Sequence, residues 1–312
     1  MDGRLRLGAL GAACVLALYG CVQPPPKPPE IAAGYMVGEP YQEDGVWFYP
    51  REEWSYDETG LATVYPAKHR FTHTTNGEPF DPNALTAGHP TLQLPALARV
   101  TNLANGRSVV VRVNDRGPGK AGRLMELTGR AADLLGIGRD DQAPVRVTLL
   151  ADESRIVAAT AQRGGGQLAR LPTEPTEVVP VAAPRPAVQI DGQTPSEPQA
   201  REPHRVPTAP TGVAGKVAAD GRFLPDPEVT QVPVRGNPAI YVEAGPFSQF
   251  NDANRVRARI SDLGRSDVQQ TAAGRAPSFT VRVGPMPSVD HADQALARLR
   301  SQGQPNARIV VQ

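Results

Sequence analysis

Val100-Thr101-Asn102-Leu103-Ala104-Asn105-Gly106-Arg107-Ser108-Val109-Val110-Val111-Arg112-Val113-Asn114-Asp115-Arg116-Gly117-Pro118 reads as two β-strands joined at Asn105-Gly106. That pair suits a tight type I′ hairpin, in which both central residues need positive φ. Along the second strand Val109, Val111 and Val113 share one face, and Val110, Arg112 and Asn114 share the other. Gly117-Pro118 halts the strand just beyond Asp115, so a carboxylate is delivered to the end of a rigid element. General acid/base chemistry needs an acid held in that way. A plainer alternative stands beside it: Asp115 and Arg116 close a turn, or Asp115 pairs with a nearby cation, since structural ion pairs also occupy such places.

Upstream lie Thr74-Thr75-Asn76-Gly77-Glu78, the run Phe80-Asp81-Pro82-Asn83-Ala84-Leu85-Thr86-Ala87-Gly88-His89, and Leu92-Gln93-Leu94-Pro95. With the hairpin they resemble the double-psi β-barrel of the rare lipoprotein A (RlpA) family of septal lytic transglycosylases, over about residues 59–150. The resemblance implies a mainly β, six-stranded barrel with Asp115 as catalytic acid and Glu78, Asp81 and His89 as its neighbours. It also implies the reaction. An acid protonates the oxygen linking N-acetylmuramic acid to N-acetylglucosamine, a base deprotonates the muramic C6 hydroxyl, and a 1,6-anhydro ring forms. The attacking hydroxyl belongs to the substrate, so one acid can serve both steps and no second carboxylate has to activate a water, unlike an inverting glycosidase. Such an acid must start protonated, which burial or a neighbouring Glu78 or Asp81 would favour. His89 either donates a hydrogen bond to the sugar or bridges strands.

Three runs depart from the family pattern. Ala62-Thr63-Val64-Tyr65-Pro66 and His69-Arg70-Phe71-Thr72 stand where members begin A-S-W-Y-G and F-H-G-R, and Arg123-Leu124-Met125-Glu126-Leu127-Thr128 stands for R-I-I-D-L-S. Val64 in place of Trp removes a sugar-facing ring or a core group. The departures leave Glu78, His89 and Asp115 untouched.

At the N-terminus, Arg4 and Arg6 precede an apolar run from Leu7 to Tyr19, too short for a mature membrane span but suited to a signal peptide, residues 1–20. Leu18-Tyr19-Gly20-Cys21 resembles a lipobox, which makes Cys21 the lipidated first residue of the mature chain; an ordinary cleaved signal is the alternative. Val22, rather than Asp, after that cysteine points to the outer membrane and its periplasmic face. Cys14 would be removed with the signal, so no disulfide can form. Residues 21–34 are a Pro-rich tether and 35–58 an N-terminal extension, whose Trp47 and Trp54 are expected as an apolar lid on the barrel, with a sugar-stacking platform as the alternative. The net charge of +1 offers no nucleic-acid footprint, and the five His are scattered without metal-ligand spacing, so neither a metal nor another cofactor is expected.

Within the barrel domain, residues 59–153, Thr128 is placed to cap a helix with Ala131, Ala132, Leu134 and Leu135 on its apolar face and Gly136 past its end. Residues 154–236 are rich in Pro, Ala and Thr without sustained periodicity and read as a disordered linker. Order returns over 237–312 in the sequence β-α-β-β-α-β, an α+β sandwich with both helices on one sheet face and Ser288 or Asp290 capping the second helix. Tyr241-Val242-Glu243-Ala244-Gly245-Pro246-Phe247 and Val281-Arg282-Val283-Gly284-Pro285-Met286 make this segment resemble the SPOR (sporulation-related repeat) domain, which binds peptidoglycan glycan strands stripped of stem peptides. The expected partners are therefore denuded glycan strands, a membrane through Cys21, and division proteins at the septum. Two other readings stay open: a glycan binder that loosens without cleaving, as expansin barrels do, and a scaffold that recruits division partners.

Overall fold

A computed structural model describes residues 33–66, 72–138, 141–166, 212–234, 237–273 and 276–312. The signal segment, Cys21 and the run His69-Arg70-Phe71 lie outside the described residues. The first ordered element is a small hairpin, β1 (Tyr41–Glu43) and β2 (Val46–Phe48), turned at Asp44-Gly45 with both residues at positive φ. The barrel follows: β3 (Asp57–Val64), β4 (Thr86–Gly88), β5 (Ala96–Asn102), β6 (Arg107–Asp115), β7 (Met125–Leu127), α1 (Gly129–Leu135) and β8 (Ala143–Leu149).

Its six strands run in the order β6-β4-β7-β3-β8-β5, and β5 pairs back with β6 to close the ring. Closure leaves neither end of the sheet as an open edge. The β3–β7 and β4–β6 pairs are parallel and the rest antiparallel, the mixed pairing of interlocked ββ crossovers. Val109, Val111 and Val113 face the buried interior with Ala62, Ala87, Ala98, Val100, Met125, Leu127, Val145 and Val147. The alternation read along β6 is therefore its packing.

The β5–β6 hairpin is not a type I′ turn. Only Gly106 takes positive φ, at 76°, in a four-residue loop spanning 103–106. The cause is tertiary: Asn105 Nδ2 donates to Leu135 O at the end of α1, 2.9 Å, while its Oδ1 accepts from Arg107 N, 2.9 Å. Thr128 does stand at the N-cap of α1, but its hydroxyl donates to Ala84 O, 2.7 Å, stitching β7 to the preceding loop instead of capping the helix. Gly136 ends the helix in the left-handed conformation, as its lack of a Cβ allows.

Ordered chain continues past the expected linker boundary at Ser154. Helix α2 (Ala151–Gly166) lies against β5, with Ser154 Oγ donating to Leu97 O, 3.0 Å, and accepting from Leu97 N, 2.9 Å. Beyond residues 167–211, β9 (Gly215–Val217) and β10 (Phe223–Pro225) form a hairpin, and β11 (Thr230–Gln231) pairs with Ser108 and Arg107 of β6. Phe223 packs with Leu97 and Val157. These contacts are few per segment, so the sequence there shows no sustained period even though both stretches are held by the barrel.

The C-terminal unit is β12 (Ile240–Phe247), α3 (Phe250–Arg259), a 3-10 turn, β13 (Ser266–Ala273), β14 (Ala276–Met286), α4 (Val289–Ser301) and β15 (Arg308–Val311). Its sheet order is β13-β14-β12-β15, all antiparallel. Val242, Ala244, Val281 and Val283 pack against Ala253, Val256, Ala292, Leu296 and Leu299 of the two helices. Ser288 caps α4 by accepting from His291 N. Leu61 of β3 is buried in this same core, and Arg123 of the barrel makes a bidentate pair with Asp293 of α4, both bonds 2.6 Å.

The two tryptophans of the N-terminal extension part company. Trp54 packs on the barrel core with Arg155 over its ring, 5.0 Å to the centroid. Trp47 is 52% exposed and stacks on Tyr49, so the lid reading holds for Trp54 alone.

Candidate functional site

Strand β6 delivers Asp115 half-buried at the barrel's mouth, beside the exposed Thr75. Its Oδ1 accepts from Thr75 N at 2.8 Å, Thr75 Oγ1 at 2.5 Å and Arg116 N at 2.9 Å; its Oδ2 accepts from the Tyr65 hydroxyl at 3.1 Å. Two features of β4 create that setting. A bulge between Ala87 and Gly88 brings Gly88 opposite Asp115 rather than Asn114. Gly88 also has no side chain, and a Cβ there would stand 2.5 Å from the Tyr65 hydroxyl, so only glycine admits the tyrosine to the carboxylate. Phe80 braces Tyr65 edge-on, with ring centroids 5.2 Å apart. Burial first, then the charges of Asp115 and Glu126, push the Tyr65 phenol well above its usual value, so it remains a donor.

Arg116 turns its guanidinium away from that carboxylate, donating to His89 O at 3.2 Å and Leu92 O at 2.6 Å, and to Val37 O. It pins three backbone carbonyls around the site.

Glu78 occupies the other face of β6. Its buried carboxylate takes Arg112 Nη2 at 2.7 Å, Asn114 Nδ2 at 3.0 Å and Asn76 Nδ2 at 2.9 Å. Burial alone would raise it, but the Arg112 charge and these donors win and hold it below the usual carboxylate range. Glu78 thus braces the strand that presents Asp115, through Asn114 directly before it.

His89 is 1% exposed. Its Nδ1 accepts from Thr91 N at 3.2 Å and Leu92 N at 3.1 Å, which assigns the ring proton to Nε2, donated to the Tyr56 hydroxyl at 2.9 Å. Burial, with the Arg116 charge, pushes the ring down to about 3, so it is neutral at any ordinary pH. The link from His89 to Asp115 runs through backbone, His89 N to Asp115 O at 3.0 Å. Asp81 is exposed, and its Oδ1 accepts from Asn83 N at 2.8 Å. Its neighbour Phe80 is the residue that reaches the site, against Tyr65.

The structure therefore gathers Asp115, Tyr65, Thr75 and the His89 backbone at one place, sets Glu78 behind them and leaves Asp81 at the rim. Glu126 of β7 joins the same place from the far side of Gly88. Burial first, then the Asp115 charge, with Glu43 adding and the Gly119 N–H opposing, push Glu126 up to about 7. Tyr65, Thr75 and Glu126 were not singled out from sequence. An arginine on the buried strand β6 was the available signal for a partner such as Glu78, since a buried guanidinium needs an acid. Among the described residues, no three His, Cys, Asp or Glu are arranged to hold a metal ion.

Comparison with known proteins agrees with this architecture. Residues 57–147 match the family model described as lytic transglycolase, and residues 236–310 match the SPOR domain. A protein of Yersinia pestis named endolytic peptidoglycan transglycosylase RlpA is 28% identical over a 356-residue alignment covering 96% of this chain and 97% of that protein. Its namesake in Pseudomonas aeruginosa (strain PAO1) is 32% identical over 284 residues, covering 87% of this chain and 77% of that protein. The Escherichia coli K12 namesake is 40% identical over 121 residues, 38% of this chain and 33% of that protein. With a double-psi barrel that presents Asp115 and a SPOR domain behind it, the chain belongs to the RlpA family.

Proposed function

We propose that this chain is a peptidoglycan lytic transglycosylase acting within glycan strands stripped of stem peptides. The observation that carries the reading is Asp115, oriented by four hydrogen bonds at the mouth of a closed barrel whose relatives bear that enzyme name. A carboxyl fixed to this degree meets the positional demand of proton transfer to and from a sugar. In the reaction the bridging oxygen between N-acetylmuramic acid and N-acetylglucosamine gains a proton, its bond to C1 breaks, and the C6 hydroxyl bonds to C1 and loses its proton to the site. The product is a 1,6-anhydro end, and no water is consumed. The SPOR domain holds the denuded strand, and a lipid on Cys21 keeps the enzyme on the periplasmic face of the outer membrane at the septum, where it separates daughter cells.

One observation favours a second reading, glycan binding without cleavage: the His89 ring is committed to Tyr56 and backbone, and Glu78 to Arg112, so neither side chain faces a sugar. A single experiment divides the two. Protein lacking residues 1–21 is incubated with stem-peptide-free strands and the ends are read by mass spectrometry. The enzyme reading expects 1,6-anhydro ends that vanish in Asp115→Asn with binding retained; binding without such ends in the wild type establishes the second reading.

A further inference from the structure

The site holds a carboxyl that a one-acid scheme leaves without a task. Gly88 pairs with Asp115 of β6 on one side and with Glu126 of β7 on the other, so the two acids flank one glycine on three adjacent strands. At about 4.8 Å per strand spacing, their backbones stand roughly 10 Å apart. Both side chains are half-buried. Three observations place both carboxyls around Tyr65 and the turn over residues 117–119. The Tyr65 hydroxyl, seated over Gly88, bonds Asp115 Oδ2 and feels the charge of both acids. A Cβ on Gly117, two residues after Asp115, would lie 3.2 Å from Glu126 Oε2. The Gly119 N–H of the same turn lies near enough to the Glu126 carboxylate to favour its charged form.

We propose that Glu126 is the second carboxyl of the active site and the proton donor of the pair: it protonates the bridging oxygen while Asp115 takes the proton of the C6 hydroxyl. The proposal rests on the transglycosylase reading. The hydrogen bonds divide the roles. Asp115 accepts four, three of them on Oδ1, an arrangement suited to an acceptor. Among the described residues only the Gly119 N–H favours the charged form of Glu126, and the groups facing it are two acids, Asp115 from β6 and Glu43 from β1, with the neutral Tyr65 phenol. Like charges so placed do not ionise together readily, and a proton remains on Glu126 near neutrality. The Arg116 guanidinium, bonded to backbone carbonyls, feels the charge of Asp115 but is not among the groups acting on Glu126.

The protons balance. One leaves Glu126 for the departing oxygen as the C1–O bond breaks. One leaves the C6 hydroxyl for Asp115 as the O6–C1 bond forms. A transfer from Asp115 back to Glu126 resets the site, so none is consumed.

The test combines carboxyl 13C NMR titration with product assay on protein lacking residues 1–21. A wild-type carboxyl resonance with a midpoint near 7 should be absent from Glu126→Gln and should move to lower pH in Asp115→Asn. Glu126→Gln should keep wild-type near-UV circular dichroism, lose on the order of 100-fold in product rate, and lose the alkaline limb of its pH profile near 7, with Glu126→Asp restoring part of the rate. A Glu126→Gln enzyme with wild-type rate and alkaline limb overturns the donor assignment. No carboxyl titrating above pH 6, or a midpoint indifferent to Asp115→Asn, overturns the pairing. If the wild type forms no anhydro ends, the transglycosylase reading fails, and the titration still decides whether the two acids are coupled.

Discussion

The His89 ring receives two backbone N–H bonds on Nδ1 and gives its own proton to Tyr56, all within a buried pocket. A proton added to it would have to replace one of those accepted bonds. Its folded pKa of about 3 lies below the unfolded value of about 6.5, so the unfolded chain protonates first. Stability from this group is complete above about pH 6.5 and is lost as pH falls toward 3, by at most about 1.4 kcal/mol per unit. Glu126 works in the opposite sense. Raised to about 7, it favours folding at pH below its unfolded range, and that contribution is lost as pH rises through 7. The stability advantage of the wild type over His89→Asn in urea denaturation should therefore shrink from pH 7 to pH 5; an unchanged difference would disprove the burial argument. Sequence alone left the role of His89 open because tautomer and burial depend on Thr91, Leu92 and Tyr56 meeting in space.

Strand β6 shows how far an alternating pattern carries. Its valine face, the turn after it and the helix after β7 were all legible, since period-two burial and glycine stops are local properties. The turn type was not, because Asn105 is claimed by the end of α1. Nor was the pairing of β11 along the outer edge of the hairpin, where Val232 N donates to Gly106 O at 2.8 Å. Gly106 sits at φ 76°, and a Cβ there would meet Val232 O at 2.2 Å. Gly106→Ala should cost about 1–2 kcal/mol from the left-handed backbone and should detach β11 as well. Hydrogen exchange at Val232 would report this: fast exchange is expected in the variant, and unchanged protection would refute the strand's attachment.

Between the barrel and the SPOR unit, Leu61 fills the second core, Arg308 pairs with Glu58 at 3.1 Å, and Arg123, its side chain fully buried, is neutralised by Asp293. Asp293→Ala leaves that guanidinium buried and unpaired, at a cost of about 3–5 kcal/mol. The two units should then separate while each stays folded, increasing the radius of gyration in small-angle scattering at unchanged circular dichroism; an unchanged radius would show that the apolar contacts suffice.

The amino-acid sequence by itself determined the two domains, the strand that presents Asp115 and the helices of the SPOR unit. Those follow from periodicity and turn chemistry, which act between residues a few positions apart. Which groups meet Asp115 was decided only in three dimensions. Tyr65 lies 50 residues away in the chain, Thr75 lies 40 away, and Glu126 arrives across β4 through Gly88. Barrel closure sets those neighbours, because it fixes the register of strands distant in sequence, and with it the burial and charge that each carboxyl feels.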